Sequence, residues 1–133
     1  MRSVDTNILV RYLTSDDASQ YALARDLLET APIFVGVTVL LETEWVLRDG
    51  YGFDDDAIVD AVRALLGLAT VTVEESTLVG QAIAWMGDGL EFADAFHLAR
   101  SRDCMDLVTF DRKFARRANA LDAVPVTLLA KAS

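Results

Sequence analysis

The sequence predicts an α/β fold with a mainly parallel sheet of four to five strands and helices covering both faces, and three observations carry that prediction. Five short runs are rich in β-branched residues: "SV" at 3–4, "IFV" at 33–35, "VTV" at 71–73, "LVT" at 107–109 and "VTLL" at 126–129. Longer stretches with helical periodicity separate them. Both prolines, Pro32 and Pro125, stand immediately before a strand run, where a residue that cannot continue a helix suits a loop. Strands that alternate with helices pair in parallel, because each helical crossover returns the chain to the same end of the sheet.

The helical segments follow in order. "NILVRYL" and "DDASQYALARDLLET" lie between the first and second strand runs, and "LLETEWVLRD" and "DDDAIVDAVRALLG" between the second and third. "EESTLVGQAIAWMG" and "FADAFHLARS" precede the fourth, and "DRKFARRANA" precedes the fifth. Asp16, Asp54, Glu74 and Asp111 stand where an acidic group favours a helix N-terminus. Gly87 and Gly89 in "WMGDGLEFAD" read as a helix stop and a tight turn, since the pattern carries no Walker lysine.

A chain of 133 residues fits one domain spanning 1–133. Hydrophobic residues make up 53% and the mean hydropathy is +0.28, enough apolar surface to predict a homodimer. The longest nearly apolar run, "ALLGLATVTV", is about half of the roughly 20 residues a membrane span needs, and no basic segment with an apolar stretch behind it opens the chain. The expectation is a soluble cytoplasmic protein without a membrane partner. With Cys104 and His97 the only residues of their kinds, no Cys/His zinc site can be assembled. A metal here would be held by oxygen.

Twelve basic residues against 21 acidic ones give a net charge of −9, which argues against broad nucleic-acid binding. The distribution is less hostile: Arg100, Arg102, Arg112, Lys113, Arg116 and Arg117 crowd between 100 and 117. Of these, Arg100, Arg112, Lys113 and Arg116 are the candidates for a local phosphate-contacting patch.

In parallel sheets ligands collect at the carboxyl ends of the strands. Asp5 follows the first strand run and Asp111 the fourth, although an Asp after a strand is also an ordinary helix cap. Glu42 lies one turn before Trp45 and Val46, and Asp94 one turn before His97 and Leu98, so both acids are expected to face apolar company. A lone carboxylate there is unfavourable, and several together repel unless a divalent cation neutralises them. Oxygen-only ligation suits Mg²⁺ or Mn²⁺, which hold a few carboxylates, waters and substrate phosphate and can activate water against a phosphodiester.

"VDTNIL", "LLETEW", "FADAFHLA" and "LVTFDRKF", in this order along the chain, resemble the four acidic motifs of PIN-domain ribonucleases, and a stand-alone chain of this size is most similar to the VapC toxins of type II toxin–antitoxin pairs. The resemblance implies a three-layer α/β/α sandwich, Mg²⁺- or Mn²⁺-dependent endoribonuclease activity, a homodimer and a VapB-type antitoxin as partner. Motif by motif, it makes Asp5, Glu42, Asp94 and Asp111 the catalytic acids, with Asp5 and Asp94 as metal ligands. It places Asn7 and Thr109 as polar residues that orient those carboxylates or a water.

Other residues carry plainer expectations. Glu44, two positions after Glu42, falls on another helical face and is expected at solvent or a subunit interface. His97 is read as structural, Cys104 as a small buried residue, Trp45 and Trp85 as core or interface, and Asp88 and Glu91 as loop acids. Two other functions compete: a PIN-like nuclease of RNA maturation or decay, and a phosphoacceptor module, for which Lys131 is the only late lysine.

Overall fold

The computed structural model describes residues 1–129, so Lys131 lies outside the described residues. In chain order these form β1 (Arg2–Ser3), α1 (Thr6–Thr14), α2 (Ala18–Thr30), β2 (Ile33–Val35), α3 (Val37–Tyr51), α4 (Asp55–Leu66), β3 (Val71–Val73), α5 (Ser76–Met86), α6 (Phe92–Arg100), β4 (Leu107–Thr109), α7 (Arg112–Ala118) and β5 (Val126–Leu128). Each strand run and each helical segment read from the sequence is present. Every strand pair is parallel: β1, β2 and β3 pair in that order, and β4 pairs with β5. The chain divides into two compact units, Met1–Ser76 and the residues from Thr77 onward.

In the first unit α1 packs on α2 and α3, and α4 packs on α3 and β3. Its interior is aliphatic: Leu9, Leu28, Ile33, Val35, Leu40, Leu47, Ile58 and Leu65 are all buried. Each such side chain contributes about 1.5–3 kcal/mol over an exposed one. The strands are only two or three residues long, so the helices supply most of this apolar surface. In the second unit α7 packs on β5. Phe92 and Phe96 of α6 are buried with their rings 6.5 Å apart, and Val79, Ile83 and Val126 are also buried.

The prolines do what their placement predicts. The carbonyl of Pro32 accepts the N–H of Arg2 at 3.0 Å, and that of Pro125 accepts the N–H of Leu107 at 2.9 Å. Each loop therefore starts the neighbouring strand's register before its own strand begins.

Three expectations need correction. β1 ends at Ser3 and both of its residues are exposed; the buried residue is Val4, after the strand. Asp17, not Asp16, caps α2 through the N–H of Gln20, leaving Asp16 to bind Arg11, Thr14 and Tyr51. Glu74 does not cap the helix that follows it. Its carboxylate accepts the N–H of Val37 at 2.8 Å, at the start of α3, where the N-cap is Gly36 and has no side chain to offer.

Candidate active site

Asp5 follows β1 and becomes the N-cap of α1, its Oδ1 accepting the N–H of Thr6 at 2.7 Å. This leaves Oδ2 outside the cap. Glu42 lies in the second turn of α3. Asp5, Asn7 and Glu42 line one cavity of about 330 Å³, together with Thr6, Val10, Arg11, Val46 and Tyr51. The first unit thus gathers the first two acids and the expected polar helper Asn7.

Glu42 is not buried, contrary to the expectation that it faces apolar company. Asp5 and Glu42 are both exposed, and so is Trp45, at 63%, one turn after Glu42. The reason is the face of α3 that packs. Val37, Leu40, Thr43 and Leu47 turn inward, which leaves Glu42 and Trp45 on the outer side. Glu44 does not stand free at solvent: its carboxylate accepts from Arg48 Nε at 2.7 Å and is only 11% exposed. Arg48 also reaches Asp55 at 2.8 Å, so this arginine is committed to holding α3 against the start of α4.

Arg11 and Tyr51 close the other side of the same cavity and are fixed by a polar cluster that the sequence did not reveal. Arg11 Nε donates to Gln20 at 2.6 Å and its Nη1 donates to Asp16 at 2.8 Å, while the Tyr51 hydroxyl donates to Asp16 at 2.7 Å. The Tyr51 hydrogen bond, followed by those from Thr14 and Arg11, holds the Asp16 carboxyl down at about 2.

The second unit builds its site from a turn and a helix. Asp111 caps α7 by accepting the N–H of Phe114 at 3.0 Å, and the Thr109 hydroxyl accepts the N–H of Asp111 at 3.0 Å. Thr109 therefore orients the backbone that carries Asp111. Asp94 stands in the first turn of α6 and is half-buried. Asp94, Asp111 and Lys113 line one cavity of about 60 Å³, with Gly89, Leu90, Glu91, Phe114 and Arg117. Burial raises the Asp94 carboxyl above its ordinary value, the charges of Glu91 and Asp111 raise it further, and His97 opposes them.

Glu91 and Arg117 are the residues that sequence reading left out of this cavity. Both were within reach of helical spacing: Glu91 precedes Asp94 by three residues, and Arg117 follows Lys113 by four. Glu91 is the N-cap residue of α6 rather than a plain loop acid. Of the other basic candidates, Arg112 and Arg116 are exposed on α7 away from the cavity lining, and the Arg100 guanidinium lies 5.8 Å from the centre of the Phe96 ring. His97 is exposed. Cys104 is also exposed, not buried, because it sits in the irregular stretch between α6 and β4. Trp85 is half-buried, and Gly87 and Gly89 form the expected turn after α5, with Gly89 at φ +96°.

These donors suit a hard cation. Each unit brings at least two carboxylates to one cavity, and the burial and neighbouring charges that raise Asp94 are costs a divalent ion offsets. Among the described residues no three His, Cys, Asp or Glu side chains form a ready-made cage. A metal held here would take few carboxylates and rely on water and phosphate for its remaining ligands, as Mg²⁺ commonly does. Also among the described residues, no helix is long and apolar enough to cross a membrane.

Comparison with known proteins gives the family. A search of curated proteins finds no significant match. Among solved structures the chain is similar to Mycobacterium tuberculosis VapC20, a toxin that cleaves the sarcin–ricin loop, with 28% identity over 87% of this chain and 94% of that one and a TM-score of 0.45. The family model described as PIN domain matches residues 3–120, spanning both units and all four acidic motifs. On that match, the chain belongs to the PIN-domain family.

Proposed function

We propose that the protein is a metal-dependent endoribonuclease acting as the toxin of a VapBC-type toxin–antitoxin pair. The observation that carries this reading is the cavity of Asp94 and Asp111, in which a carboxyl is raised by burial and by its acidic neighbours. An acid held among like charges has a use when a divalent cation is part of the working protein. The Asp5–Glu42 cavity and membership of the PIN-domain family support the same reading.

A bound Mg²⁺ or Mn²⁺ would activate water and neutralise charge on the phosphodiester, leaving a 3′-hydroxyl and a 5′-phosphate. The protein's own contribution is placement. Asp5 and Asp94 serve as ligands, Glu42 and Asp111 orient water or complete the negative field, Asn7 lines the first cavity, and Thr109 fixes the turn that carries Asp111. A homodimer and a VapB-type antitoxin belong to this proposal. An antitoxin arginine could bind the same carboxylates that serve the metal.

The test is incubation of the purified protein, freed of any co-purified partner, with total bacterial RNA and Mg²⁺ or Mn²⁺. EDTA and Asp94→Asn serve as controls, and the cut ends are mapped. Discrete cuts that vanish in both controls are expected. Cleavage that persists in both would mean the acids do not perform the chemistry.

A further inference from the structure

We infer that Arg117, together with Lys113, forms a two-point clamp for the RNA phosphate backbone at the Asp94–Asp111 cavity; this rests on the ribonuclease reading above. Both are on α7, four residues apart and hence on one face, and both line that cavity. Arg117 is placed by a built feature. Its Nη1 donates to the carbonyl of Gly89 at 2.8 Å, and its Cδ, Nε and Cζ lie 3.6 Å from where a side chain at residue 89 would begin. Gly89 holds φ +96°, a conformation other residues rarely adopt, so the turn before α6 is shaped for the arginine to lie across it.

The contact with Gly89 occupies only part of a five-donor fork. No ion pair within 4.0 Å joins Lys113 or Arg117 to Glu91, Asp94 or Asp111, although all five line the same small cavity. Two cations beside carboxylates, unpaired with them, fit a ligand whose own charge is negative and whose metal satisfies the acids. A phosphodiester chain has that chemistry, and an anchored arginine fork matches its non-bridging oxygens. The clamp also accounts for how a chain of net charge −9 attracts RNA at the one place where it must.

The test reads binding apart from cleavage. In an Asp94→Asn background with EDTA, the affinity for a fluorescein-labelled 12-nucleotide single-stranded RNA is measured against salt for the parent, Lys113→Gln and Arg117→Gln. Each substitution is expected to weaken binding three- to tenfold at low salt and to reduce the slope of log affinity on log salt by about 0.7, one lost phosphate contact each. Phenylglyoxal labelling of the unsubstituted protein, read by peptide mass, answers for Arg117 should its variant fold poorly. Saturating RNA should lower labelling there at least threefold while leaving the exposed Arg63 unchanged. Unchanged slopes, or unprotected Arg117, would reduce the arginine to a clasp for the Gly89 turn. If such results coexist with RNA cleavage by the native chain, only the clamp falls; if the native chain cleaves no RNA with Mg²⁺ or Mn²⁺, the ribonuclease reading falls with it.

Discussion

In the first unit Asp5 and Glu42 stand exposed around a cavity of about 330 Å³, whereas in the second Asp94 and Asp111 share about 60 Å³ with a third acid, Glu91. The roomy cavity leaves its acids to water, and its one arginine is occupied by Asp16, Gln20 and Tyr51. The tight one half-buries Asp94 among other acids, and burial first, then the charges of Glu91 and Asp111, raise its carboxyl. The same residue types thus carry different costs. Removing the Asp94 charge should relieve the cost of holding it half-buried beside Glu91 and Asp111.

The substitution with the largest expected effect is Asp94→Asn. Cleavage should fall by about a hundredfold or more, the upper range for disturbing a metal site. In EDTA the same variant should melt at a higher temperature than the parent at pH 7. The folded chain holds the Asp94 proton more tightly than the unfolded chain does, so ionisation costs stability as pH rises through the raised value. The advantage should shrink below about pH 4, where the carboxyl is protonated in the unfolded chain as well. A variant that melts lower throughout would show that Asp94 is structural.

Asp5→Asn sharpens the contrast. Asparagine caps a helix about as well as aspartate, so melting should be unchanged while cleavage falls as severely as for Asp94→Asn. Asp5→Ala should lose the cap on Thr6 as well, at about 1 kcal/mol in urea unfolding. Glu74→Ala should cost a similar amount, about 1 kcal/mol, by exposing the N–H of Val37, and should leave the second unit's RNA affinity intact.

The smallest expected effect is at Asp16. Its carboxyl is held at about 2 by Tyr51, Thr14 and Arg11, so Asp16→Asn should lower the melting temperature slightly at pH 7. A depressed acid stabilises the fold above its unfolded value, so the deficit should fade as the pH falls from about 4 toward 2. Tyr51→Phe should reproduce part of it.

What the sequence made legible follows from the range of the interaction responsible. Periodicity and the two prolines located every element, because both act over a few residues. Topology singled out Asp5 and Asp111 as acids at strand ends, but that Asp94 shares a cavity with Asp111 and Glu91 shows only in the packing. The burial of Glu42 was misjudged because "LLETEW" has apolar residues on both faces, and only packing shows that Leu40, Thr43 and Leu47 turn inward. Glu74, Arg11 and Arg117 escaped for a related reason: each acts on a group between 5 and 40 residues away, which no local pattern encodes.

The bond between Val37 and Glu74 also imposes a timetable. Its partners are 37 residues apart, so a ribosome adding 5–20 residues per second makes the beginning of α3 roughly two to seven seconds before the carboxylate that completes it. Throughout that interval the helix bearing Glu42 has an unfinished first turn. For a protein proposed to cut RNA, the nascent chain emerges beside the very class of molecule it would attack, and late delivery of Glu74 keeps one of its acids on unfinished ground until the first unit is almost fully synthesised.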